Sequence, residues 1–530
     1  MTWIIHNARI HTLNPAQPTA TALAIQGDTI CAVGSQAEVE AAFPGADIYD
    51  AGGHTVIPGL TDAHIHLETY ALSLLSVDCE TPTRAECLQR VAARARQTPL
   101  GEWITGQGWN QNLWPEGFGC AADLDAVAPQ HAVYLEAKSL HAGWANTTAL
   151  RLAGITQETP DPANGRLGRH SDGSPDGILF ESAMELVAEA IPAPTISQTE
   201  QAILQAQSIL AGFGLTSLHD FDRRRCFLAL QNLRHSGQLR LRITKSLHLE
   251  DLPAATSLGL RTGFGDDWLR IGPVKGFADG ALGPHTAAMF EPYQDGSGDL
   301  GILMLSADEL FEQGRLAVDN GLSLAIHAIG DRANHEVLNA YQRLRAYEGT
   351  LPVRPGGPLR HRIEHVQLLH PADAGRLAEL GVIASMQPIH APSDMVMADR
   401  FWGGRAALAY AWQTQLSHGA RLAFGSDAPV ESPNPFLGLH AAVTRRRADG
   451  TPGPAGWYPE QRLSREAALH GFTTGPAYAA GMENRLGRLA PDYLADLVVL
   501  DSDIFTCDAE EIKETRPVAT MVGGAWIWQR

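Results

Sequence analysis

Between about residues 57 and 484 the chain alternates short apolar runs with longer stretches of helical period. Runs of strand length fall at 56–67 (VIPGLTDAHIHL), 214–222, 239–247, 269–280, 322–331, 359–368, 382–388 and 421–430. Their β-branched residues and their Gly, Pro and Asp borders predict strands. Segments such as TEQAILQAQSILAGFG and PADAGRLAELG separate them, with glycine where a helix C-cap belongs. Strands alternating with helices favour a parallel sheet, and eight such units predict an α/β fold closed as a (β/α)8 TIM barrel.

The two ends of the chain follow another pattern. IIHNARIHTL, ATALAIQGDTICAVG and DIYDAGGHTVIPG, near the start, read as short strands joined by turns. LGRLAPDYLADLVVLDSD and PVATMVGGAWIWQR, after about residue 485, match them in kind. Neither end can bury a core alone, so 1–56 and 485–530 are expected to pair as one small β-sandwich domain beside a barrel domain over 57–484. The first two barrel strands are too far apart for a single crossover. Residues 79–200, rich in Trp, Gly and Pro, are therefore an insertion, and its place after a barrel strand predicts a lid on the catalytic face.

Composition narrows the function. A hydrophobic fraction of 44% and a mean hydropathy of −0.12 describe an ordinary soluble globular chain. A net charge of −19 argues against nucleic acid or an anionic membrane as partner. No segment approaches the roughly 20 apolar residues of a membrane span. The opening MTWIIHNARIHTL has neither a basic region nor a cleavage site. The six cysteines (31, 79, 87, 120, 226, 507) form no CxxC pair, which predicts reduced thiols rather than disulfides or a thiolate zinc site. A cytoplasmic enzyme with a small-molecule substrate is expected, with a homodimer as the default assembly. Of 40 basic residues only four are lysines, namely Lys138, Lys245, Lys275 and Lys513. A lysine inside a structured segment is thus not there for generic charge.

Candidate chemistry starts at Asp62-Ala-His64-Ile-His66. Strand residues two apart share a face, so both imidazoles can aim at one ion from the C-terminal end of the first strand. With 21 histidines in the chain, an HxH pair by itself says little. His327 ends the fifth strand, His365 the sixth and Asp427 the eighth. Four histidines and an aspartate converging on one barrel mouth form a donor set suited to Zn²⁺, with Mn²⁺, Fe²⁺ or Co²⁺ as substitutes.

PGLTDAHIHL, VKGFADGALG on the fourth strand and FGSDAPVESPNPF on the eighth resemble the amidohydrolase superfamily, in particular its YtcJ-like branch, which includes N-substituted formamide deformylases. GWNQNLWPEG, GILFESAMEL and ASMQPIHAPSD also match that branch, and the resemblance covers essentially the whole chain. It implies metal ligation by His64, His66, Lys275, His327, His365 and Asp427. It also implies that Lys275 carries a CO₂-derived carbamate bridging two ions. A free ammonium is repelled by cations, whereas a carbamate is a carboxylate, and the scarcity of lysine supports a need for an amine there. The alternative is a Lys275 paired with Asp279 or another carboxylate, beside one ion. The chain departs from the branch at Pro284 and His285, where a small residue and an arginine usually precede Thr-Ala. His285 is therefore a candidate for an altered substrate contact.

The mechanism expected is hydrolysis of a non-peptide C–N bond, in an amide or formamide, by a metal-activated hydroxide with Asp427 as general base and then acid. His141, in the insertion, is the candidate second contact to the scissile oxygen. Trp109 and Trp114 either wall the substrate pocket or pack the insertion's core. A one-metal deaminase is a rival reading, but the glutamate such enzymes carry three residues after the fifth-strand histidine is replaced by Gly330. Ester, lactone or phosphotriester hydrolysis would use the same centre. A non-catalytic binding barrel usually lacks a ligand, and none is lacking here.

Overall fold

The computed structural model describes the chain apart from residues 1, 112–113, 138–141, 163–164, 295, 297 and 355. Its central sheet has eight strands: β1 (Leu60–Ile65), β2 (Leu215–Asp220), β3 (Arg242–His248), β4 (Leu269–Phe277), β5 (Leu324–Ala328), β6 (Arg362–His365), β7 (Ile383–Met386) and β8 (Leu422–Phe424). They lie in sequence order, and every neighbouring pair is parallel. Beyond β8, the Asp427 amide donates to the His64 carbonyl at 2.7 Å and draws the last strand onto the first. Gly425 permits this approach, since a Cβ there would stand 2.4 Å from the His64 nitrogen. The result is the (β/α)8 barrel expected from the alternating pattern.

The run at 56–67 proves to be two strands. Thr55–Pro58 belongs to another sheet, and the chain turns at Gly59 before entering β1. A Cβ on Gly59 would sit 2.3 Å from Thr216 Oγ1, so only glycine lets the junction lie against β2. Periodicity cannot find this break, because every residue of both strands is buried and no change of face marks it.

Thr55–Pro58 lies in a six-stranded sheet ordered Ala525–Gln529, Pro517–Val522, Leu497–Leu500, Thr55–Pro58, Arg9–His11, Thr19–Ala20. The two ends of the chain thus interleave, with Val56 paired to Val499. A four-stranded sheet, Thr29–Gly34, Ala22–Gln26, Thr2–His6 and Asp47–Asp50, shares a hydrophobic core with it. Leu497 and Val499 enter that core, while Val498 meets Gly214 at the foot of β2. Burial on both faces explains why this strand is apolar throughout.

Contacts divide the chain into two compact units, Met1–Tyr70 with Ile203–Arg530, and Ala71–Ala202. The terminal sheets and the barrel therefore fall in one unit, and the insertion is the other. Within the insertion a six-stranded sheet runs Gly165–Arg169, Pro175–Glu181, Ala142–Ala145, Val133–Ala137, Ile104–Trp109, Val77–Asp78. One face buries Trp109, Trp114 and Trp144 together. The six cysteines are all free. Among the described residues no helix is long and apolar enough to cross a membrane.

Candidate metal centre

Strand ends set the site. His64 lies within β1, Lys275 within β4, His327 within β5, and His365 closes β6; His66 and Asp427 follow β1 and β8. Register pairs Phe277 with His327 and Ala328 with His365, which holds these side chains at one level of the barrel. His365 and Asp427 both adopt left-handed backbone, with φ of 74° and 60°. Non-glycine residues rarely hold that conformation, and it concentrates at functional sites.

His64 and His66 converge on one oxygen. His64 Nε2 is 3.5 Å and His66 Nε2 3.4 Å from Asp427 Oδ1. His64 Nδ1 donates to Glu364 Oε2 at 2.6 Å, so a neutral His64 leaves Nε2 unprotonated. That Nε2 is buried without a hydrogen-bond partner among the described residues. A buried orphan lone pair facing a carboxylate and a second imidazole is what a cation ligand set presents. His365 is oriented likewise: its Nδ1 donates to Gln387 Oε1 at 2.9 Å, leaving Nε2 free. His327 donates from Nε2 to the Gly280 carbonyl at 2.9 Å, which leaves Nδ1. The donor set fits a divalent ion.

At His64, His327 and His365 electrostatics agree with that chemistry. Burial, aided by Lys275, lowers His64 to about 4 and His327 to about 3. Burial and then His327 hold His365 well below the usual imidazole range. Each shift favours the neutral ring, the form that binds metals. Burial would also lower His66, but Asp222 and Asp427 outweigh it and lift the ring to about 9. For Asp427 burial works the other way, and the surrounding histidines, His64 first, keep the carboxylate ionised.

A second tier of residues holds the donors. Arg362 binds both Glu364 oxygens (2.5 and 3.0 Å) and also reaches His219, the Ala63 carbonyl and Ser385. Asp62 accepts from the amides of His64 and Ser426, each at 3.0 Å, and from Ser426 Oγ, so it ties the loop bearing Asp427 to β1. Asp222 Oδ1 stands 3.4 Å from His66 Nδ1. Sequence reading gave none of these residues this role, although Asp62 opens the motif of His64 and His66. Arg362 and Glu364 did leave a signal, two charges at i and i+2 inside a strand whose every residue is buried.

Lys275 is 2% exposed, and its Nζ lies 4.8 and 4.9 Å from the ring centroids of Phe221 and Phe277. Burial lowers it to about 8 even though Glu364 and Asp427 pull upward. Asp279 is not its partner. That carboxylate accepts the amides of Ala288, Ile329 and Gly330 instead. Lys245 shows the contrast: its ammonium is 2.9 Å from Asp220, so the nearby Asp220–Asp222–Cys226 group already contains a cation.

The remaining expected residues are distributed as follows. His141 lies outside the described residues. Trp109 and Trp114 are buried in the insertion's core, and their indole N–H groups donate to the Leu135 and Thr81 carbonyls at 2.9 Å. Packing accounts for both rings. His285 stacks on Tyr293 at 4.6 Å and meets Phe401 edge-on at 4.2 Å.

A parallel barrel with histidine and aspartate donors at its strand ends defines a metal-site hydrolase class, and the amidohydrolase family profile matches residues 47–527. The chain belongs to the amidohydrolase family. It is 30% identical to the YtcJ protein of Bacillus subtilis, over 99% of both chains. It is 28% identical to the N-substituted formamide deformylase of Arthrobacter pascens, over 99% of this chain and 98% of that one. In structure it resembles an uncharacterized metal-dependent hydrolase from Pyrococcus furiosus, with a TM-score of 0.78, 28% identity, and coverage of 96% of this chain and all of the other.

Proposed function

We propose that this protein hydrolyses a non-peptide C–N bond, of amide or formamide type, in a small molecule. The observation that carries this reading is the convergence of His64 and His66 on one Asp427 oxygen, with His64 Nε2 buried and unpartnered. His64, His66, His327, His365 and Asp427 would hold zinc, and Lys275, as its carbamate, would bridge two ions. Zinc at such a site polarises a carbonyl and acidifies water. Asp427, ionised and 11% exposed at its side chain, takes the proton of the attacking water and returns it to the departing amine. Glu364 and Asp222 keep His64 and His66 turned toward it. Likeness to the Arthrobacter enzyme favours formamides as the substrate class.

Deamination finds no support at Gly330. A Cβ there would lie 2.0 Å from the Ala288 carbonyl oxygen, so the position cannot carry an acid. The test is a panel of N-alkyl and N-aryl formamides, acetamides and matched esters, run with Zn²⁺ and bicarbonate. Formate and amine release is the expected result. Ester cleavage with inert amides would replace this reading with the esterase one.

A further inference from the structure

Four residues past strand β7 stands a histidine that no role above absorbs. His390 opens the helix His390–Trp402, and its amide donates to the Gln387 carbonyl at 3.0 Å. This places its ring parallel to that of His365, with centroids 6.2 Å apart and planes 9° apart. The residue is 6% exposed, and its Nε2 is buried with no hydrogen-bond partner among the described residues. Native proteins leave few such atoms, and each one needs a reason. Gln387, which orients His365 from the same segment, also has its Nε2 buried and unpartnered.

We propose that His390 is a metal donor. With His365 and Asp427 it forms a second cation position that shares Asp427 with the position made by His64 and His66. This rests on the metal-centre reading above. The donor atoms of His365, His390 and Asp427 all lie within 4.8 Å of one another, as do those of His64, His66 and Asp427. Neighbouring donors on one tetrahedral zinc are roughly 3.5 Å apart, a gap that small imidazole rotations close. Asp427 has two carboxylate oxygens to divide between the positions. His365 has Nε2 free for this ion because Gln387 takes its Nδ1.

The test uses the full chain, stripped of metal, as wild type, His390→Ala and the size-conserving His390→Gln. Each is titrated with Zn²⁺ against a chromophoric chelator, then loaded with Co²⁺ for visible absorption. Both variants are expected to bind one ion fewer than wild type, or to hold the weaker ion at least tenfold less tightly. The cobalt band should change, while the metal-free proteins melt together. Wild-type stoichiometry, affinity and cobalt spectrum in both variants overturn the donor role, even if turnover falls. Absence of stoichiometric metal in wild type is a failure of the metal-centre reading, and the proposal falls with it. Should the alanine variant not fold, the glutamine variant decides.

Discussion

Asp427 stays ionised in a buried site because imidazoles surround it, and that charge is what a proton acceptor needs. Asp427→Asn keeps the shape and removes the basicity. Turnover is expected to fall by about a thousandfold, as measured by formate release; activity near wild type contradicts the role. Glu364 acts one residue further out. Glu364→Gln should weaken zinc binding by roughly 10–100-fold, read by chelator competition, because His64 loses its carboxylate guide. Lys275 titrates at about 8, well below an ordinary lysine. Its amine reacts with CO₂ only when unprotonated, so reactivation of apoprotein by zinc, at a dissolved CO₂ concentration held constant across pH, should speed up as pH rises toward 8 and level off above it. A rate flat from pH 6 to 9 would count against the carbamate. The grouping of His64, His66, His365 and Asp427 was legible in sequence because strand period and strand-end position determine where they point. Glu364, Asp62, Gln387 and His390 were not, since their roles depend on which strands are lateral neighbours.

At the level of elements, the barrel's entry is the tightest junction. Gly59 separates a strand of the terminal sheet from β1, and Thr216 fills the space where its side chain would be. Gly59→Ala is predicted to destabilise the protein by about 1–3 kcal/mol, the usual cost of overpacking. Denaturant melts would read this, and an unchanged midpoint would mean that the junction relaxes freely. Element order and type followed from alternation of apolar runs with helical period. The division of 56–67 did not, because a strand buried on both faces looks the same in either sheet. For the insertion, the Trp-rich composition allowed either a pocket wall or a core. Indole N–H groups bonded to backbone carbonyls explain Trp109 and Trp114 by packing.

Across the whole unit, the terminal sheet and the barrel share a buried ion pair. Arg242 of β3 grips Asp496 with two bonds, 2.6 and 2.8 Å, both side chains under 5% exposed. Removing one partner strands the other charge in the interior. Arg242→Met should therefore cost about 3–5 kcal/mol, seen as a lower melting temperature, and the double variant with Asp496→Leu should recover much of it. No recovery would indicate that Arg242 acts through packing on Trp268 instead.

Metal per chain tests most directly whether this site is a metal centre bridged by Lys275. Wild type and Lys275→Ala would be purified with zinc and bicarbonate and submitted to elemental analysis. About two ions are expected in wild type, and one or none in the variant, where the bridging group is gone. Wild type without stoichiometric metal would contradict the reading of this site as a metal centre. One ion in both proteins would remove Lys275 from the ligand set.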